Sequence, residues 1–306
     1  MSDYDFIATE RLDEGRIERI MLDRPEARNA QNRGMLVELH DAMLKAEADD
    51  DVRVIILGGS GKMFSAGHDM GSKVAMAEYY GPSQHPTRGV NGGTREGTEA
   101  FLIQEWHYYF QNTLRWRNLR KITIAEVHGP VFAAGLMLAW SCDLIVAAEN
   151  TTFADVVANR LGIMGVEYFA HPWEFGPRKA KELLLTGDSI DADEAHRLGM
   201  VSKVFPNDEL ADKTLEFAQR IANTPTVAAL LIKEAVNQTV DNMGFTNALN
   251  ASFSLHELNH SHWASISKGE RVCGVAEFDE GIQDWRNAPP VQVAQKDAVG
   301  GQSGTD

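Results

Sequence analysis

The sequence predicts an α/β fold followed by a helical C-terminal region. Strand-like and helix-like segments alternate along residues 1–205, and this alternation is typical of layered α/β proteins. Residues 206–286 have mainly helical apolar spacing, from about Asp208 to Lys268. The last segment, 287–306, is rich in Ala, Pro, Gln, Gly and Ser, and we expect it to be a disordered tail.

The first elements are predicted from short-range patterns. Residues 16–22, RIERIML, alternate apolar and polar side chains as in a half-buried strand, and the polar stretch RPEARNA ends it. Residues 35–46 predict a helix because they place apolar side chains on one face, namely Met35, Leu36, Leu39, Met43 and Ala46. The following VRVIILGG predicts a short buried strand that is closed by glycines.

Two further strands are predicted in the middle of the chain. They are ITIAEV at 122–127 and DLIVAA at 143–148, and the segment between them, HGPVFAAGLMLAWSCD, predicts a sharp turn into a helix of small residues. In the C-terminal region the helical pattern is interrupted near Asn223, Thr224 and Pro225, because proline cannot continue a regular helix.

Residues 71–99 differ in amino-acid composition from the segments on either side. They include GPSQHPTRGVNGGTREGT, which is rich in Gly, Pro and Thr, and a helix is expected to follow at about 99–117. Long inserted loops in compact domains are usually functional or disordered. We therefore expect either a pocket wall or lid, or a plain excursion on the surface.

Composition excludes several classes of protein. The net charge of −15 opposes the phosphate backbone, so no nucleic-acid partner is expected. The two cysteines, Cys142 and Cys273, form no CxxC pair, so neither a disulfide framework nor a zinc ligand set is indicated. No signal peptide and no membrane-spanning apolar run is recognised, and we expect a cytoplasmic protein without a membrane partner.

The segment FSAGHDM at 64–70 allows three interpretations. His68 and Asp69 could form a catalytic pair, or they could contribute to a metal site. Alternatively, Gly67 leaves the main chain uncovered, so that a backbone N–H can bind a ligand while both side chains point elsewhere.

Three segments in order resemble the crotonase superfamily, the enoyl-CoA hydratase/isomerase family. They are RPEARNAQN followed by VRVIILGGSGKMFSAGHDM, then ITIAEVHGPVFAAGLMLAWSCDLIVAAENTTFAD, then KELLLTGDSIDADEAHRLGMVSKVFP, within residues 16–235. The resemblance implies a crotonase-like spiral of stacked ββα units with a helical C-terminal region that forms a homotrimer or a dimer of trimers. It also implies an acyl-CoA thioester as substrate, with no cofactor apart from the substrate's own CoA, and no metal.

The resemblance further implies an oxyanion hole made of two backbone N–H groups, those of His68 and Ala134. A thioester enolate carries negative charge that donors aimed in advance can stabilise. Ala134 opens the small-residue helix, where the helix dipole also favours an anion. The alternative for Ala133, Ala134 and Gly135 is close helix packing without a ligand.

The loops that hold CoA in relatives correspond to RNA at 28–30 and to the FSAGHDM turn. The residues that the resemblance implies for binding are Arg28, Ala30, Ala66, Gly67, Asp69, Met70 and Gly71. Asp69 either braces the turn or contacts ligand amides. Cations near these loops are local exceptions in an acidic chain and could attract CoA, or they could be ordinary surface charges: Arg24, Arg28, Arg33, Lys62 and Lys73.

The acid–base residues are where this sequence departs from the family. Hydratases of the family carry glutamates at the positions of Met137 and Val157, three residues after Ala134 and four after Phe153. Addition of water to an enoyl thioester requires a group that activates water and a group that delivers a proton. Met and Val can do neither, so we expect poor hydration of simple 2-enoyl-CoA substrates.

Glu167, in the loop GVEYFAHPW, is the residue expected to replace the missing carboxylates. It follows Val157 by ten residues, and burial beside Met and Val would raise the pKa of its carboxyl. The alternative is a glutamate that faces solvent or forms a salt bridge. Other candidates are Tyr168 and His171 on the same loop, and His107, Tyr108 and Tyr109, whereas Asp155 is expected to cap a helix.

The function predicted from these residues is that of an acyl-CoA-processing enzyme, a lyase of the enoyl-CoA hydratase/isomerase family. An acyl-CoA decarboxylase, hydrolase or C–C lyase on the same fold is an alternative, because such reactions can need fewer carboxylates. A third alternative is a paralogue that binds acyl-CoA without catalysis. The apolar residues Met137 and Val157 and the insertion hint at a bulky or cyclic acyl group.

Overall fold

The computed structural model describes residues 4–80, 97–269 and 272–274. The predicted tail at 287–306 and residues 81–96 of the predicted insertion lie outside these ranges. Two ends of the insertion are helical, which corrects the expectation of a continuous loop: helix α2 covers Lys73–Tyr80 and helix α3 begins at Gly97.

A six-stranded sheet forms the centre of the described structure. Its strands are β1 (Ile7–Leu12), β2 (Ile17–Leu22), β3 (Val54–Gly59), β4 (Ile122–Val127), β6 (Leu144–Ala148) and β9 (Lys203–Phe205). Its order is β1-β2-β3-β4-β6-β9, and only the β1–β2 pair is antiparallel. The central strand β3 is buried at every residue, as expected for an apolar run in a parallel sheet.

A second sheet of three short strands lies beside the first. It contains β5 (Pro130–Phe132), β7 (Thr152–Ala154) and β8 (Ile190–Asp191) in the order β5-β7-β8. Strands β4 and β6 of the large sheet each lead into a strand of the small sheet and then into a helix, α5 at Ala134–Trp140 and α6 at Val157–Leu161. This repetition is the predicted stacking of ββα units.

Helices cover both faces of the sheet. Along the chain they are α1 Arg33–Ala48, α2 and α3 (ending at Gln104), a π-helical segment Glu105–Gln111, α4 Asn112–Arg117, α5 and α6, α7 His171–Glu174, α8 Pro177–Thr186, α9 Ala192–Leu198, α10 Leu210–Ala222, α11 Thr226–Asn242 and α12 Phe245–Ile266. The interruption predicted near Pro225 separates α10 from α11. Among the described residues, no helix is long and apolar enough to cross a membrane.

Alternation along β3 divides the core into two layers. Ile55 and Leu57 belong to the larger apolar cluster, whereas Val54 and Ile56 belong to a smaller one that α10 covers with Ala218 and other residues. Full burial of one such aliphatic side chain contributes about 1.5–3 kcal/mol. The larger cluster includes α5, so the turn that precedes this helix is fixed against a rigid core.

Candidate active site

Asp69 and Arg24 fasten the two predicted CoA loops to each other. Arg24 Nη1 donates to Asp69 Oδ2 at 2.9 Å and to the carbonyl of Ala30 at 2.7 Å. Ser72 N–H donates to Asp69 Oδ1 at 2.9 Å. Burial raises the pKa of the Asp69 carboxyl, but hydrogen bonds from Ser72 and Arg24 outweigh burial and lower it. Asp69 therefore braces the turn, and the buried Arg24 side chain is bonded to both loops.

The turn at Gly67 approaches the start of α5 closely. Gly67 has φ +99°, and a Cβ there would lie 2.9 Å from the Ala133 Cβ and 3.1 Å from the Ala134 nitrogen. Standard backbone dimensions then limit the distance between the nitrogens of His68 and Ala134 to roughly 7 Å. Ala133 has φ 48°, a conformation that costs a non-glycine residue about 1–3 kcal/mol and is common at functional sites.

A cavity of about 720 Å³ opens beside this turn, and both His68 and Ala134 line it. Of the predicted binding residues, Ala66, Asp69 and Met70 also line the cavity. The remaining predicted binding residues lie on the loops beside it: Arg28, Ala30, Gly67 and Gly71.

Glu167 reaches the same cavity and contacts the His68 side chain. Glu167 Oε2 lies 3.3 Å from His68 Nε2, and the His68 ring stacks on Tyr109 with 3.6 Å between ring centroids. Glu167 is 4% exposed, so it does not face solvent, and its ion pair with His68 is the alternative that the sequence left open. The arrangement can accept or donate a proton inside the cavity.

The expected raised pKa of Glu167 is wrong, and one of the three interpretations of the FSAGHDM turn does not hold. Burial does raise the pKa of Glu167, but the His68 charge and hydrogen bond, together with His256, outweigh burial and hold the pKa below its ordinary value. The side chain of His68 pairs with Glu167, whereas its sequence neighbour Asp69 turns away to Arg24. Adjacent residues in an extended turn point in opposite directions, which separates the proposed His68–Asp69 pair.

Some of the other candidates do not line the cavity. His171 Nε2 lies 2.9 Å from Asp155 Oδ2, and both side chains are buried. Asp155 Oδ1 also accepts the N–H of Val157 at the start of α6, which is the predicted capping role. Tyr168 is fully buried in the apolar core, and it does not line the cavity.

The candidates from the helical region after Gly97 have different positions. Tyr108 and Tyr109 line the cavity, and His107 does not. Of the two residues at the usual glutamate positions, Val157 lines the cavity, and Met137 is buried in the core. Arg33 is buried and donates to Glu78 and Gln104, whereas Lys62 and Lys73 are exposed.

Sequence reasoning missed a second polar group of the cavity, which consists of Glu105, His256 and His260. All three side chains are buried and line the cavity. Burial and the charge of Glu167 raise the pKa of Glu105 well above its ordinary value, and burial and the His256 charge lower the pKa of His260 to about 4. The signal in the sequence is HELNH at 256–260, two histidines on one helix face.

Comparisons with known proteins show the family to which this chain belongs. A family model described as enoyl-CoA hydratase/isomerase matches residues 13–287. EchA13 of Mycobacterium tuberculosis, which carries an enoyl-CoA hydratase name, is 63% identical over 295 residues, which cover 96% of this chain and 92% of that protein. A 4-chlorobenzoyl coenzyme A dehalogenase of Arthrobacter sp is 30% identical and covers 72% of this chain and 74% of its own. A crystal structure of a Mycobacterium smegmatis protein with an enoyl-CoA hydratase name has TM-score 0.77 and 42% identity, and covers 88% of this chain and 99% of its own.

Proposed function

Because this chain belongs to the enoyl-CoA hydratase/isomerase family, we propose that it transfers protons at the acyl carbons of a CoA thioester, with Glu167 and His68 as the acid–base pair. Family membership confirms the predicted crotonase-like fold and an acyl-CoA-processing enzyme. The observation that carries the proposal is the 3.3 Å contact between Glu167 and His68 in the cavity.

The backbone of the same loop supports charge stabilisation beside this pair. His68 and Ala134 line one cavity, and the close approach of Gly67 to Ala134 limits the separation of the two nitrogens to roughly 7 Å. Ala134 is the first residue of α5, so its N–H has no acceptor within the helix. Two such donors can stabilise the enolate that forms when a proton leaves the carbon next to the thioester carbonyl.

Hydration and double-bond isomerisation share this enolate, and both fit one carboxylate–imidazole pair. Glu167 can remove a proton from carbon or from water and return it to a carbon of the acyl chain, while the His68 ring orients the carboxylate through the 3.3 Å contact. Several apolar residues line the cavity, among them Val157, Leu161, Ile163 and Phe101, and the charged Arg160 also lines it. We propose that the acyl group is larger than crotonyl and that simple 2-enoyl-CoA hydration is slow.

A thioester panel tests this proposal on wild type and Glu167→Gln. The panel contains crotonyl-CoA, longer and cyclic 2-enoyl and 3-enoyl thioesters, and malonyl-type and β-keto thioesters. Loss of a positioned base typically costs about 10²–10⁴-fold in rate, so kcat on the best substrate should fall by that factor while CoA-ester binding persists. Glu126→Gln, a buried glutamate that pairs with Arg19 away from the cavity, is the matched control and should retain turnover.

Other outcomes would contradict the proposal in distinguishable ways. Robust crotonyl-CoA hydration that is unchanged in Glu167→Gln would exclude both the base and the bulky substrate. Turnover of only malonyl-type or β-keto thioesters would identify a decarboxylase, hydrolase or C–C lyase. Binding of CoA esters without turnover of any thioester would identify a non-catalytic paralogue.

A further inference from the structure

Glu105, His256 and His260 bring three ligand atoms to one point in the cavity wall. His256 Nε2 and His260 Nε2 are 3.0 Å apart, and Glu105 Oε2 lies 3.5 Å from the first and 3.2 Å from the second. The two histidines are four residues apart on α12, so they project from one helix face. Glu105 opens the π-helical segment, a feature that is frequent at functional sites.

The outer nitrogens of both rings are already engaged. His256 Nδ1 lies 2.9 Å from the carbonyl of Gly165, and His260 Nδ1 lies 2.6 Å from the carbonyl of Val272. A carbonyl can only accept, so each Nδ1 must carry the proton. In the neutral rings both Nε2 atoms are therefore bare lone pairs.

When Glu105 is ionised, three acceptors thus face one another without a donor between them. Glu105 Oε2 is buried and accepts no hydrogen bond within the described residues. Buried polar atoms that lack a partner destabilise the fold, so a cation between these three atoms would be favourable. A single proton can bridge only two of the three atoms, whereas a metal ion contacts all of them.

We propose that Glu105, His256 and His260 bind a divalent transition-metal ion through two imidazole nitrogens and one carboxylate oxygen. Ligands at the usual 2.0–2.2 Å around a tetrahedral zinc ion are about 3.3 Å apart, and the three observed separations of 3.0, 3.2 and 3.5 Å bracket that value. Backbone carbonyls that fix the other ring nitrogen are the usual outer contacts of metal-binding histidines. The sequence alone predicted no metal, because Cys142 and Cys273 form no CxxC pair and give no zinc ligand set.

All three residues line the cavity, so an ion bound by them would be accessible from it. Glu167 Oε1 lies 3.8 Å from His256 Nε2, so a water on the metal would lie near the proposed base. Zinc lowers the pKa of bound water to about 7. We assign to this metal-bound water the role of the water molecule that the two glutamates activate in hydratases of the family. This role rests on the proposed function.

Metal titration tests the site without any thioester. The full chain, stripped with a chelator, is titrated with Zn²⁺ by calorimetry and with Co²⁺ by visible absorption. We expect one ion per chain and Co²⁺ bands typical of low coordination. Removal of outer contacts alone costs about 10–100-fold in affinity, so Glu105→Gln, His256→Asn and His260→Asn should each weaken binding by more than about 100-fold.

Two variants separate this site from its surroundings. His262→Asn changes an exposed histidine on the same helix and should bind metal as wild type does. Glu167→Gln should also bind metal, even where it abolishes turnover, so failure of the proposed function would not be mistaken for failure of the site. Glu105→Gln is nearly isosteric, and its circular dichroism and Tm verify that it folds.

Three results would overturn the metal site. The first is the absence of saturable binding, and the second is equal affinity in Glu105→Gln and wild type. The third is a strongly deshielded imidazole proton in the NMR spectra of both the metal-free and the Zn²⁺-treated protein. The last result would identify a proton shared between the two histidines.

Discussion

His68 contributes a backbone N–H and an imidazole ring to the cavity, and we propose a separate role for each. Its backbone N–H is one proposed oxyanion donor, and its ring contacts Glu167 at 3.3 Å. Gly67 makes the first role possible, because its positive φ and missing Cβ let the turn approach Ala134. A substitution at Gly67 therefore displaces the backbone donors without replacing either His68 or Glu167.

We expect Gly67→Ala to lower kcat by about 10²–10³-fold, the usual effect of losing one oxyanion donor. The added Cβ would collide with Ala133 and Ala134 at 2.9 and 3.1 Å. Gly176→Ala is the matched control, because Gly176 has a similar positive φ of +76° but nothing within 4 Å. It should lose stability from the strained φ and keep its turnover, and similar kcat losses in both variants would contradict the oxyanion role.

The brace between Arg24 and Asp69 predicts a stability difference that depends on pH. The folded pKa of Asp69 is lowered, because hydrogen bonds from Ser72 and Arg24 outweigh burial. Ionised Asp69 thus stabilises the fold above its unfolded pKa of about 3.9, and this stabilisation disappears as pH falls through the folded pKa. In urea unfolding, Asp69→Asn should be less stable than wild type at pH 7, and the difference should shrink below pH 4. An equal difference at both pH values would contradict this assignment.

At the scale of elements, a buried ion pair holds α11 against the sheet. Lys233 Nζ lies 2.9 Å from Asp143 Oδ2 and donates to the Lys121 carbonyl at 2.9 Å. The lysine is 8% exposed. Asp143 also accepts from Thr123 N–H at the start of β4, so one carboxylate joins a helix, a strand and the end of α5.

Lys233→Met should lower the free energy of unfolding by about 3–5 kcal/mol, because it leaves the Asp143 carboxylate buried without its cation. Urea unfolding measures the loss, and adding Asp143→Asn should restore part of it. Lys213→Met breaks an exposed pair with Glu216 and should have little effect. If Lys233→Met is as stable as Lys213→Met, the pair does not anchor α11.

At the scale of the whole molecule, an exposed apolar row on α11 supports the proposed trimer or dimer of trimers. Val227, Leu231, Ile232 and Val236 are 58–70% exposed in the isolated chain. Contiguous apolar patches of this kind usually mark interaction sites. We propose that α11 and α12 form the subunit interface.

Leu231→Asp should dissociate the oligomer, because a charge would be buried without a partner in the interface. Light scattering at micromolar concentration measures the mass of wild type and variant. Leu185→Asp is the control, since Leu185 is 72% exposed on α8, and it should leave the mass unchanged. A wild-type monomer would contradict the trimer, and an unchanged mass in Leu231→Asp would exclude this face.

The sequence by itself determined the backbone plan and the family. Strands β3 and β4 and the break before α11 follow from local properties, namely runs of apolar residues and a proline. Strand β1 was missed because IATERL is mostly exposed on an edge and lacks a clear apolar pattern. The assignment of Met137 and Val157 to the usual glutamate positions rests on the resemblance to the family and stays a prediction.

Only the tertiary structure decided which side chains meet. His68 lies 99 residues from Glu167 in sequence, and Glu105 meets His256 and His260 from a separate helix. Local periodicity specifies which face of an element is apolar, but it carries no information about which polar groups of distant elements face each other. That choice follows from the packing of α3, the π-helical segment and α12 around one cavity, where the energy of burying each polar group depends on its partners.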